Sequence, residues 1–282
     1  MNLRGKKKVE IISKSNNKKL IAETVSMNRK NIYYKSKMEE KDKGLVEQII
    51  NMHKFHPAYG YIRTALELDV NKKRTQRVMA KYNIRPPRRK IKRFSTTKSV
   101  TQTSYTNLIK NLEVNKPYEV LCADLTYIKY QGKFIYLGTV EDIFTREIVA
   151  ANLSNKHDSI LALSIVSQAL EKTTGATQIF HTDQGNEFMA AIVTNFLEKN
   201  HIKVSVSDKA SPWQNGYKES FFSRFKEENG NLNRFETLGE LAEEIYGYIN
   251  YYNKYRIHTR LKMSPAQFKL KVVENGLEKM GY

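Results

Sequence analysis

The 282 residues are 40% hydrophobic and carry 48 Lys and Arg against 29 Asp and Glu, a net charge of +19, which fits a folded chain and excludes a disordered one. Apolar runs of only a few residues exclude a membrane span, and the basic start "MNLRGKKKVEIISKSNN" lacks the apolar core of a secretory signal. The charge is lopsided, with 28 basic and 8 acidic side chains in residues 1–110 but 20 and 21 in residues 111–282, so the first part reads as an arm for a polyanion such as nucleic acid.

Residues 1–42 form a helix-turn-helix-like segment. "NKKLIAETV" (17–25) has a helical pattern, Ser26 is the expected N-cap of a second helix, and that helix carries Arg29 and Lys30 as candidate DNA contacts. Residues 43–84 form a helical DNA-binding module. "GLVEQIINMHKF" has apolar residues at 45, 46, 49, 50 and 52, and "AYGYIRTALEL" supplies a second helix. Asn71 caps "KKRTQRVMAKYNI", where Val78, Met79 and Tyr82 face inward. Lys72, Lys73, Arg74 and Arg77 project, as in a helix that reads a major groove. Residues 85–112 are a basic linker. Its two prolines stop the preceding helix, and Arg88, Arg89 and Lys90 suit a phosphate backbone or a minor groove.

From residue 113 to 282 strands and helices alternate. "YEVLCADLTYIKY", "KFIYLGTVEDI" and "TREIVAANL" read as three meandering strands with a turn at Gln131-Gly132. A helix (157–172), the strand "ATQIFHT", the helix "NEFMAAIVTNFLEKN" and the strand "IKVSVS" follow, then helices from about 212, 237 and 264. This order predicts an α/β fold, a mixed sheet flanked by helices and preceded by small all-α modules.

Three acids lack a local packing reason. Asp124 sits inside an otherwise apolar or β-branched strand, which is costly unless it is paired or metal-bound. Asp183 ends the fourth strand just before Gly185, where ordinary turn chemistry is the alternative. Glu219 lies on a helix whose packed stripe is Trp213, Tyr217, Phe221 and Phe225. Glu219, Ser223 and Lys226 occupy another face at i, i+4 and i+7.

The segments "ADLTYI", "EDIFTREIVA", "HTDQGNEF", "SPWQNGYKESFFSRFKEE" and "YNKYRIHTRLKMSPAQF" resemble those of insertion-sequence transposases of the OrfB type, with the DDE catalytic core of retroviral integrases. The 35 residues between Asp183 and Glu219, and a Lys seven positions after the Glu, agree with that superfamily. The resemblance implies a ribonuclease-H-like fold and a transposase that binds element ends, cleaves at the 3′ end and transfers the strand by transesterification. Asp124, Asp183 and Glu219 would then be the catalytic and metal-binding residues for two Mg²⁺ ions, with Mn²⁺ as a substitute. Asp124 would bridge both ions, and Lys226 would contact DNA near the scissile phosphate. Expected partners are double-stranded DNA (terminal repeats and target), further copies of the chain on that DNA, and an upstream-frame product as partner or fusion. The expected location is the bacterial cytoplasm, at the nucleoid. Two alternatives stay open: a DNA-binding regulator derived from a transposase, and a structure-specific nuclease on the same fold.

Several residues are harder to place. His181 shares a strand face with Asp183 and is either a site residue or a core histidine, while Asn186 and Glu187 are expected to begin the next helix. Asn253, Arg256 and His258 are expected to be structural or to touch the DNA backbone. Cys122, where the family commonly has tryptophan, is expected to be a buried inert thiol in a reducing cytosol. As the only cysteine, it excludes an integrase-type His/Cys zinc module despite the nearby His53 and His56.

Overall fold

The computed structural model describes residues 18–24, 26, 28, 37–87, 104–207 and 216–279. Arg29, Lys30, Arg88, Arg89 and Lys90 lie outside the described residues. The first helix among the described residues, α1 (Lys18–Thr24), ends where Ser26 takes a left-handed φ of 52° and donates its backbone N–H to Glu23 O. Ser26 therefore closes α1, a geometry unlike the extended backbone of an N-cap.

Three helices then pack into a small core: α2 (Lys37–Phe55), α3 (Tyr61–Glu67) and α4 (Lys72–Lys81). Leu45 and Ile49 of α2 meet Val78 and Met79 of α4, while Ile50, on the opposite side of α2, stays exposed. Asn71 caps α4 as expected, accepting the N–H groups of Lys73 and Arg74. Of the basic residues expected to project from α4, Arg74 and Arg77 do not simply do so. Asp42 of α2 is only 1% exposed, and Arg77 grips it with bonds of 2.7 and 2.8 Å. Arg74 donates to Lys41 O at 3.0 Å. A buried carboxylate requires such compensation, which draws these guanidinium groups onto α2 and leaves Lys72 and Lys73 exposed.

The sheet has five strands in the order β3-β2-β1-β4-β5: β1 (Val120–Tyr130), β2 (Lys133–Asp142), β3 (Ile148–Ser154), β4 (Ile179–Thr182) and β5 (Lys203–Val206). β1, β2 and β3 form an antiparallel meander, and β4 and β5 add in parallel. The β1–β2 hairpin turns through Gln131 (φ 45°) and Gly132 (φ 78°), the backbone a tight two-residue turn needs. This is the expected mixed sheet of a ribonuclease-H-like fold.

Alternation along β1 sends Leu121 and Ala123 to one face, under α5 (Ser159–Thr173) and α6 (Ala191–Lys199). Ile128 and Tyr130 go to the other, under α7 (Gly216–Asn229) and α8 (Leu238–Lys254). Phe221 and Phe225 of α7 are fully buried there, as their spacing predicts. Trp213 lies outside the described residues. The last helix is α9 (Pro265–Lys279).

The helical module rests on the C-terminal part of the body. Met52 and Tyr59 share a buried cluster with Ile257, whose N–H donates to Tyr59 Oη at 2.7 Å. His56 Nδ1 bonds Tyr251 Oη at 2.8 Å, and His53 Nε2 bonds the Tyr59 carbonyl. Both histidines are thus engaged within this junction. No helix among the described residues is long and apolar enough to cross a membrane.

Candidate active site

The parallel pairing of β1 and β4 runs from Val120↔Ile179 to Cys122↔His181. Two residues beyond that pairing, Asp124 lies within β1 and Asp183 directly follows β4, so both acids belong to the carboxyl end of the same parallel pair. Asp124 is half-buried, and its Oδ1 accepts the N–H of Leu125 at 2.7 Å. Asp183 follows the last residue of β4, at the carboxyl end of the parallel pair.

A tight turn shapes the rim beyond Asp183. Asp183 Oδ1 accepts the Gly185 N–H at 3.0 Å. A Cβ on Gly185 would sit 2.6 Å from Glu187 Oε2 and 2.9 Å from Asp183 Oδ1, so a larger residue would push these two carboxylate ends aside. Glu187 does not begin a helix. Its Oε1 pairs with His157 Nδ1 at 2.7 Å, while the buried Phe188 packs near Phe180, so α6 starts only at Ala191. Burial raises the Asp183 pKa, opposed by the Gly185 N–H and by His157.

Lys226 reaches β1 two residues beyond Asp124. Its Nζ donates to Thr126 Oγ1 at 2.6 Å and stands 4.7 Å from the Tyr127 ring centre. Thr126 is two residues beyond Asp124 and shares its strand face. Just past the end of β1, the Gln131 N–H bonds Asn233 Oδ1 beyond α7, so α7 follows β1 in the same direction. Its first half, with Glu219 two turns or roughly 10 Å before Lys226, therefore runs back toward the Asp124 end. The Glu219 side chain lies outside the described residues.

His181 is a core histidine. It is fully buried between Ser205 Oγ (2.9 Å) and Ser207 Oγ (3.0 Å), and burial lowers its pKa to about 4. A neutral ring pinning β4 to β5 cannot serve as a cationic phosphate contact. Cys122 is fully buried. Asn253 brackets Ile148, accepting its N–H (2.8 Å) and donating to its carbonyl (2.9 Å), which is a structural role. Arg256 is 2% exposed and grips Glu228 with two nitrogens.

Asp124 and Asp183 offer hard carboxylate oxygens at one end of the sheet, with Glu187 close to Asp183 across Gly185, and such donors suit a hard divalent cation. Among the described residues, no three His, Cys, Asp or Glu side chains form a metal-holding group; Glu219 falls outside that set. Glu187 and His157 escaped sequence reasoning. The only available signal was a carboxylate four residues after Asp183, which also fits a helix start.

The integrase core domain family matches residues 114–212, and a second integrase core domain family matches residues 219–273. An uncharacterized transposase-like protein of Haemophilus influenzae is 31% identical over 203 residues, covering 72% of this chain and 94% of that one. The transposase for insertion sequence element IS904 of Lactococcus lactis is 30% identical, covering 77% and 89%. The putative transposase InsK for IS150 of Escherichia coli is 29% identical, covering 77% and 79%. The solved HTLV-2 integrase catalytic core domain in complex with magnesium is 20% identical over 54% of this chain and 97% of that one, with a TM-score of 0.42. The chain belongs to the insertion-sequence transposases, polynucleotidyl transferases built on an integrase core domain.

Proposed function

We propose that the chain binds the ends of an insertion element and catalyses 3′-end cleavage followed by strand transfer, using Asp124, Asp183 and Glu219. The single observation that carries this proposal is the parallel β1–β4 pairing, because one acid lies within β1 just beyond it and another directly follows β4. Asp124 lies within the central strand, and Asp183 directly follows β4.

The chain's own residues divide the work. Asp124 is fixed by the central strand, Asp183 by its bond to the Gly185 N–H, and Glu219 by a helix anchored through Phe221 and Phe225. The three carboxylates would hold two Mg²⁺ or Mn²⁺ ions. Such ions, when bound, supply an activated oxygen nucleophile, a stabilised leaving oxygen and neutralisation at phosphorus. Thr126 and Tyr127 hold the Lys226 ammonium on the same face, where it would contact a DNA phosphate beside the scissile bond. Water breaks the phosphodiester bond at the element end and leaves a 3′-hydroxyl. That hydroxyl attacks a target phosphodiester and displaces another 3′-oxygen, so each joining forms one bond as it breaks one.

The helical module of residues 43–84 would recognise the ends through Lys72 and Lys73. Arg74 and Arg77 would serve mainly to set α4 on Asp42. The segments with Arg29, Lys30, Arg88, Arg89 and Lys90 would add phosphate contacts. Two or more copies would act on one DNA. The test is an Mg²⁺-dependent assay on duplexes ending in the element's repeats, with a pre-cleaved end as second substrate. Cleavage and joining support the proposal, cleavage without joining supports the nuclease alternative, and binding without either supports the regulator.

A further inference from the structure

Where the helical module meets the C-terminal part of the body lies a pocket of about 420 Å³ with cationic walls. Arg63 comes from α3, Arg224 from α7, and Arg256, His258, Thr259 and Arg260 from the segment after α8. The anions nearby are too few. Glu228 takes Arg256 in a two-nitrogen grip and lies 3.7 Å from Arg63, and Glu227 takes Arg224 at 2.7 Å. With the Glu141–Arg146 pair, which lies close enough to act on Tyr252 and His258 of the lining, three carboxylates stand against five guanidinium groups among the described residues.

The pocket also leaves hydrogen-bonding capacity unused. Arg63 Nε and His258 Nδ1 are both buried and have no hydrogen-bond partner among the described residues. Proteins rarely leave buried nitrogens unsatisfied, and a polar ligand is one reason to do so. Burial and then the neighbouring guanidinium groups depress the basicity of Arg63 and His258, as expected where cations crowd together.

We propose that this pocket binds a phosphate group, and that its occupant is a backbone phosphodiester of the bound DNA. Planar guanidinium groups match phosphate oxygens two at a time, the Thr259 hydroxyl can add a donor, and His258 can donate in its Nδ1–H tautomer. Its position selects DNA as the source, an assignment that rests on the transposase function proposed above. The pocket joins α3 of the module to α7, the helix that carries both Glu219 and Lys226. A phosphate seated there would tie the recognition helices to the catalytic helix. It would also give the near-neutral body a DNA contact of its own.

The experiment uses the full chain without divalent metal. Duplex affinity is measured across a salt series, and protection by sodium pyrophosphate is measured as a shift in melting temperature. Arg224→Gln combined with Arg260→Gln removes two heads that reach solvent, and Arg260→Glu alone is a milder second variant. Both variants are expected to lose about tenfold in duplex affinity, to show a salt slope smaller by about 1, and to lose pyrophosphate protection. Unchanged affinity and slope in both variants overturn the proposal. Loss of pyrophosphate protection with unchanged duplex binding overturns the DNA assignment in favour of a free phosphate. Metal-dependent cleavage by the unaltered chain is scored separately, so failure of the pocket and failure of the transposase function give different results.

Discussion

The helical module and the sheet-bearing body use charge in opposite ways. In the module the apolar core is small, Leu45 and Ile49 against Val78 and Met79, and most basic side chains stay at the surface. Its exception is Asp42, whose one buried carboxylate draws Arg77 onto α2. In the body the net charge is close to zero, yet charged groups are buried repeatedly: Glu228 with Arg256, Glu141 with Arg146, and Asp142 under the Thr145 hydroxyl. Net charge therefore marks where a polyanion can be attracted, whereas buried charge marks where geometry is held. Only the second kind of placement can keep carboxylates aligned for chemistry.

Removing a candidate catalytic acid should have the largest effect. Asp124→Asn, Asp183→Asn and Glu219→Gln should each lower Mg²⁺-dependent cleavage and joining by about 10³-fold or more, and double variants should fall little further. Circular dichroism and end binding should stay as in the unaltered chain. Near-normal turnover by any one of the three would remove that residue from the site.

Next in size is the buried pair in the body. Glu228→Gln leaves Arg256, 2% exposed, facing a neutral partner and should lower unfolding stability in urea by about 3–5 kcal/mol. Burial pushes the Glu228 carboxyl up, but Arg256, Tyr248 and Arg63 outweigh it, and the net pKa is lowered. The pair's contribution is therefore complete above the ordinary carboxyl range and is lost as pH falls through the lowered value. The variant should show less of that acid-side loss. Equal acid sensitivity in both proteins would assign it to other groups.

A smaller effect tests whether module and body behave as one unit. Tyr59→Phe deprives the Ile257 N–H of its acceptor in a buried setting and should cost about 1–3 kcal/mol. If module and body are coupled through this junction, probes on α2 and on the sheet should shift together. A shift confined to α2 would show that they unfold separately.

The mildest prediction concerns the exposed basic face of α4. Replacing Lys72 and Lys73 by Ala should reduce the log–log salt slope of duplex binding by about 2, since each neutralised phosphate contributes about 0.9. Cleavage of substrate at saturating concentration should be unchanged. An unaltered slope would move DNA recognition away from α4.

Local chemistry accounts for what was legible in the sequence. Period-two runs marked the strands, period-3.6 stripes such as Phe221 and Phe225 marked the helices, and Gln131-Gly132 marked the hairpin, because each signal acts over a few residues. Asp124 stood out for the same reason, as a carboxylate amid residues that bury. The signals that failed were also local. Ser26 looked like an N-cap but takes a left-handed φ at the end of α1, and Glu187 looked like a helix start and pairs with His157.

The tertiary structure alone decided the relations between distant segments. No local pattern pairs β1 with β4, which are separated by two strands and a helix, yet that pairing brings the segments of Asp124 and Asp183 to one end of the sheet. His181 could have been a ligand or a core residue until β5 supplied Ser205 and Ser207. Arg63, Arg224 and Arg260 are unremarkable basic residues in their own helices and loop, and they become one pocket only when α3, α7 and the segment after α8 converge. Sequence determines what each stretch can bury and how it can bond nearby. Which charges end up facing one another depends on long-range packing, because that is what removes the water that would otherwise screen them.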